Sequence, residues 1–182
     1  MRSPRWIAKV LLLGLVFLGA PNAMADGEPE PLADVPTEQL IADITKSEPA
    51  YYYLLASRML KEERNEEAVF WYYVGQLRWR YYALGHKDKV SGSEESALMG
   101  ALNQSIGTVV NRYAFGDLEQ LRQTIDKAIA WDESNPNEFC PKDSVAEARA
   151  EVLEGLRELR QSTIDQADEI RKTRTENGLE NR

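Results

Sequence analysis

Residues 50–82 read AYYYLLASRMLKEERNEEAVFWYYVGQLRWRYY. Two apolar stretches flank residues 61–65, KEERN, a turn without an apolar side chain. Neither stretch alternates at the period of two that a half-buried strand requires, so both are expected as helices. The first is expected over about 49–62, with Ser47 as a cap and Pro49 in the first turn. The second is expected over about 66–84, ended by Gly85.

The same period extends to both sides. Thr37 is placed to cap a short helix bearing Leu40, Ile41 and Ile44. Ser93 is placed to cap a helix over about 94–114 with Leu98, Leu102, Ile106, Val109, Val110 and Tyr113 at helical spacing, ending at Gly116. Asp117 with Gln120 reads as a capping box for a helix over about 118–131, whose apolar face is Leu118, Leu121, Ile125 and Ile129. Residues 132–143 form a loop with two prolines. Ser144 with Glu147 opens a last helix over about 145–171. The expected fold is therefore all-α: about six helices in antiparallel hairpins, forming a bundle or a short repeat-like array. The domain spans 37–172, and 173–182 is a polar tail expected to fray.

The N-terminus carries an address. Arg2, Arg5 and Lys9 precede an uncharged run over 10–20, and Ala23-Met24-Ala25 has the small-x-small form of a cleavage site. This is the layout of a secretory signal peptide over 1–25, cleaved after Ala25, and its apolar run is too short to span a bilayer. Residues 26–36, DGEPEPLADVP, read as a flexible leader. The expected location is periplasmic or secreted, with membrane contact only through the uncleaved signal peptide. The chain has 182 residues, 22 Lys+Arg and 30 Asp+Glu, for a formal charge of -8. The signal segment holds three bases and no acids, so its removal takes the charge to -11. That acidity argues against nucleic acid and suits a soluble protein with basic partners. One Cys and one His exclude a zinc site, a disulfide framework and a Cys/His catalytic pair. Cys140 reads as a buried thiol, with an intermolecular disulfide as the other possibility.

Large and small residues recur at fixed offsets in the 50–82 segment: Tyr52, Leu55, Ala56 and Met59 on the first helix, Ala68, Tyr72 and Gly75 on the second. The spacing Y-x2-L-A-x2-M-x8-A-x3-Y-x2-G resembles one tetratricopeptide or Sel1-like repeat, in which large residues of one helix pack over small ones of the next. The fragment DKAIAWDESNP looks like the close of a second unit, although Leu121 stands where a small residue belongs. The resemblance implies a protein-binding scaffold with no catalytic residues and no cofactor. Small exported Sel1-like proteins include immunity proteins that bind antibacterial toxins.

Ten of the 16 aromatic residues lie between Tyr51 and Tyr82. Consecutive rings point about 100° apart, so one helical face does not hold them all. Either they form a tyrosine-rich core, or some reach a surface where Tyr, Trp and Arg act as binding anchors. The candidate partner-binding residues are Tyr51, Tyr53, Trp71, Tyr73, Arg78, Trp79, Arg80 and Tyr82. Arg78 and Arg80, with His86, Lys87 and Lys89, make a local basic patch suited to a carboxylate-bearing partner, or simply favourable charge at a helix C-terminus. The expected function is an exported protein-interaction module that binds another protein, an immunity protein being the specific case, and not an enzyme. The alternative is a peptidoglycan-directed enzyme or accessory subunit using carboxylates such as Glu62, Glu63, Glu66, Glu67, Glu94 and Glu95.

Overall fold

A computed structural model describes residues 35–182. The signal peptide and most of the leader lie outside the described residues. Those described hold eight α-helices and no strand. They are α1 (Thr37–Asp43), α2 (Pro49–Lys61), α3 (Asn65–Gly85), α4 (Lys87–Val90), α5 (Glu94–Ala114), α6 (Leu118–Ser134), α7 (Ala146–Asp165) and α8 (Ala167–Glu176). Two exceed the expected six. The loop after α3 holds the single turn of α4, and the last helix breaks at Gln166 into α7 and α8. No described helix is long and apolar enough to cross a membrane.

Some local signals act as the sequence indicates. The Ser93 hydroxyl accepts from Ser96 N at 3.1 Å, and the Asp117 carboxylate accepts from Gln120 N at 3.0 Å. Pro49 opens α2. Others are diverted. Thr37 lies inside α1 and donates to Glu62 Oε1 at 2.6 Å, so its hydroxyl ties α1 to the end of α2. The Ser144 hydroxyl donates to Pro141 O at 2.6 Å and closes a 3₁₀ turn instead of capping α7.

α2 and α3 form a tight antiparallel hairpin, turned by Glu63 at φ 60. Close approach is possible because position 75 is glycine. A Cβ there would stand 2.7 Å from Tyr52 Cβ, so any side chain would force the helices apart. α3 then packs against α5, α6 and α7 as well. It is surrounded, so from Ala68 to Arg78 every residue except Phe70 is buried. A helix apolar on all sides belongs in the middle of a bundle.

The centre of the bundle is polar at one point. Arg78 is 1% exposed and Asp132 is 0% exposed, and Arg78 Nε meets Asp132 Oδ1 at 3.1 Å. Arg149 Nε donates to Asp132 Oδ2 at 2.9 Å. Arg78 Nη1 donates to the Tyr52 hydroxyl at 2.7 Å and Nη2 to Pro136 O at 2.8 Å. Its guanidinium lies 4.7 Å from the Trp131 ring centroid. The loop expected over 132–143 is thereby nailed to α3, with Lys142 Nζ donating to Asp132 O at 2.7 Å.

The tail does not fray. α8 runs to Glu176, Arg174 is buried, and Arg182 N donates to Gly116 O at 2.6 Å. Backbone hydrogen bonds and a buried arginine order a segment that its polarity marks as loose.

Removing one partner of a buried ion pair leaves the other charged and desolvated. Asp132→Ala is expected to cost about 3–5 kcal/mol of stability in urea unfolding. Arg78→Met combined with Asp132→Leu should cost less than Asp132→Ala alone, because the fully buried guanidinium is removed and only the more exposed Arg149 loses its carboxylate. A loss under about 1 kcal/mol for Asp132→Ala would contradict the central place given to this pair.

Candidate aromatic and acidic interface

Of the eight candidate residues, four belong to the interior. Tyr53, Tyr73 and Arg78 are buried, and so is Trp71. They are core positions and not partner-contacting ones: Trp71, Tyr73 and Arg78 because α3 is enclosed by α2, α5, α6 and α7, and Tyr53 because it lies on the side of α2 that faces α3, its ring 5.2 Å from that of Tyr72. Their polar atoms are used within the fold. Tyr73 donates to Asn111 Oδ1 at 3.1 Å. Trp71 packs on Trp131 with ring centroids 5.2 Å apart and lines a groove of about 480 Å³ with Ile41, Phe70 and Thr124.

Tyr51, Trp79, Arg80 and Tyr82 reach the surface, Tyr51 at 36% exposure and the others less. Arg78 and Arg80 are split, one in the core and one outside, which the roughly 200° between alternate helical positions requires. The basic patch therefore does not assemble. Its strongest charge is neutralised internally by Asp132.

What assembles is a different group, centred on Tyr82 in the last turn of α3. Its ring lies 5.9 Å from Trp79, 4.8 Å from His86 and 5.0 Å from Phe139. Trp79 and Tyr82 are three residues apart on one helix and share a face. His86 is held by contact of its Nδ1 with Tyr82 O at 2.9 Å. Phe139 is delivered by the loop that Arg78 pins, and Glu138 N donates to Thr45 O at 3.0 Å on the loop's other side. Cys140 behind it is buried, and burial pushes its thiol pKa up.

The charge of this group is negative. The Tyr82 hydroxyl donates to Glu95 Oε2 at 3.4 Å. Burial, then the Glu48 carboxylate, pushes the Glu95 carboxyl above its ordinary range, against the opposing pull of Tyr82 and His86. Burial and Glu95 likewise raise the Tyr82 phenol. Half-exposed rings beside a poorly solvated carboxylate attract a cation, by the ring faces and by the charge together. Phe139 was not among the candidates, and Glu95 stood only among the carboxylates of the enzyme alternative, because only the pinned loop and the α5 N-terminus bring the two to Tyr82. Among the described residues no three His, Cys, Asp or Glu side chains converge to hold a metal.

Compared with family models, with curated proteins and with solved structures, the chain matches none.

A carboxyl whose pKa is raised by folding stabilises the fold when protonated and loses that contribution as pH rises through its folded value. Glu95→Gln should therefore be more stable than the unsubstituted chain at pH 7 and equal to it below about pH 4. Thermal unfolding across that range checks the sign. A variant less stable at pH 7 would show that Glu95 is held by favourable partners and not by burial.

Proposed function

We propose that the protein is an exported, non-catalytic interaction module. It binds another protein by receiving a basic side chain between Trp79, Tyr82, His86 and Phe139, against Glu95. The observation that carries this reading is the placing of the partly buried Glu95 carboxyl against the Tyr82 hydroxyl, at 3.4 Å, at the edge of a half-exposed aromatic group. An incoming lysine or arginine would neutralise it and stack on the rings, so binding would remove a cost the free protein bears. Net acidity favours the same partners by steering. An immunity protein holding a basic region of an antibacterial toxin is the specific case proposed, by the likeness of the α2–α3 hairpin to a Sel1-like unit.

The acids at the start of α3 support a non-catalytic role. The Thr37 hydroxyl and Arg64 hold Glu62 below the usual carboxylate range, and Arg64 does the same for Glu67. A general acid requires the opposite shift. The peptidoglycan-directed reading keeps one feature in its favour, the Glu95 carboxyl raised by burial and then by Glu48. Glu48 is exposed and Glu95 in part exposed, so neither stands in the apolar enclosure that keeps a catalytic acid protonated.

The decisive experiment is recovery of residues 26–182 from the periplasm at native abundance, with identification of what accompanies them. One stoichiometric partner is expected. Trp79→Ala with Tyr82→Ala should weaken its binding at least tenfold, and Glu95→Lys should abolish it. Tyr51→Ala should leave it unchanged. A partner bound equally well by Glu95→Lys would sink the basic-side-chain reading. Wall-degrading activity lost in Glu95→Gln would replace it with the enzyme.

A further inference from the structure

The opposite end of α3 faces an arrangement of the contrary charge. Arg112 from the last turn of α5, Arg174 from α8 and Arg182 meet at a groove of about 440 Å³ whose walls include Leu60, Val109, Tyr113 and Leu179. Arg174 is 3% exposed. Its Nη1 donates to Arg112 O at 3.0 Å and its Nη2 to Glu180 O at 2.6 Å, while its Nε is buried without a partner. Arg182 lies with its guanidinium 3.7 Å from the Tyr113 ring centroid and donates to Tyr113 O at 3.0 Å. Arg174 Nη2 and Arg182 Nε both stand 3.1 Å from the place a Cβ on Gly116 would take, so the two cations converge on a position only glycine leaves open.

No carboxylate among the described residues pairs with any of the three. Elsewhere, arginines such as Arg64, Arg78, Arg149 and Arg160 stand within 3.2 Å of an Asp or Glu. Glu180 lines the groove but gives Arg174 only its backbone carbonyl, and its exposed carboxylate makes no ion pair. Glu66 is engaged by the Tyr113 hydroxyl at 2.8 Å. Burial, and then Arg182 and Arg112, press the Arg174 pKa down. A buried cation normally has a counter-charge, and here the fold supplies none.

We propose that this groove binds an oxyanion, a carboxylate or phosphate carried on an apolar body. Guanidinium groups present planar donor forks that fit such anions. The orphaned Nε of Arg174 and the two flanking cations supply charge, and Leu60, Val109 and Leu179 supply an apolar wall. The groove has the size of a small-molecule site, larger than a bare anion fills. It is separate from the Tyr82 group, which lies at the far end of α3 and attracts cations.

The test uses the full chain with phenyl phosphate, benzoate, inorganic phosphate and, at matched ionic strength, sodium chloride. At a hundred times Kd, phenyl phosphate or benzoate should raise Tm by roughly 5–10 °C, and chloride should not. The tighter of the two identifies the head group. Inorganic phosphate should bind at least tenfold more weakly than phenyl phosphate. Arg112→Ala and Arg182→Ala, both at exposed positions, should each weaken binding about tenfold with circular dichroism unchanged, while Trp79→Ala should not affect it. Equal shifts with chloride, or unaltered affinity in both arginine variants, overturn the proposal. Equal affinity for inorganic and phenyl phosphate overturns its apolar part.

Discussion

The ion pair between Arg78 and Asp132 joins residues 54 positions apart inside the bundle, and most of the molecule is arranged around it. A guanidinium buried on the central helix is costly without a carboxylate, and that carboxylate is costly without further partners of its own. Arg149 from α7, the Tyr52 hydroxyl from α2 and the carbonyl of Pro136 complete the set. One charged contact thereby fixes α2, α3, α6, α7 and the loop between the last two. Apolar packing alone tolerates sliding of one helix on another, whereas a network of directed bonds selects one register.

The surface group around Tyr82 inherits its geometry from that contact. Trp79 and Tyr82 belong to α3, but Phe139 arrives only because the loop bearing it is tied down at Asp132, Asn135 and Pro136. The two ends of α3 differ in consequence. At its C-terminal end, aromatic rings meet carboxylates. At its N-terminal end, arginines from α5, α8 and the tail meet each other. Rings beside carboxylates at one end and three converging arginines at the other make the two ends of α3 chemically distinct.

Much of the helical plan was readable because α5 and α6 carry apolar residues every three or four positions and begin with Ser93 and Asp117. Gly75, Ala68 and Tyr52 announced a close hairpin between α2 and α3. The site was less readable. α3 has no polar face between Ala68 and Arg78, and such uniformity means enclosure on several sides. The run of rings is compatible with a tyrosine-rich core and with a surface, and periodicity does not say which ring goes where. Arg78 resembled a surface arginine because its partner lies far away in sequence, and periodicity carries no information about such pairs. The meeting of Phe139 and Glu95 with Tyr82 is hidden for the same reason. The ordered tail was masked by composition: Arg174 looks like solvent-exposed charge until α8 folds it under Arg112.

The tyrosines give the core a chemical vulnerability that an aliphatic core lacks. Burial pushes the Tyr52 and Tyr72 phenols up to about 12, and drives those of Tyr53, Tyr73 and Tyr81 higher than their ordinary value as well. Each must stay protonated for the fold to hold, whereas in the unfolded chain each ionises near pH 10. Stability from these groups is intact below pH 10 and falls away as the medium becomes more alkaline. The phenolate absorbance of these five rings should then appear in one cooperative step as the bundle opens, apart from that of the more exposed Tyr51, Tyr82 and Tyr113, and the size of the step would count the core.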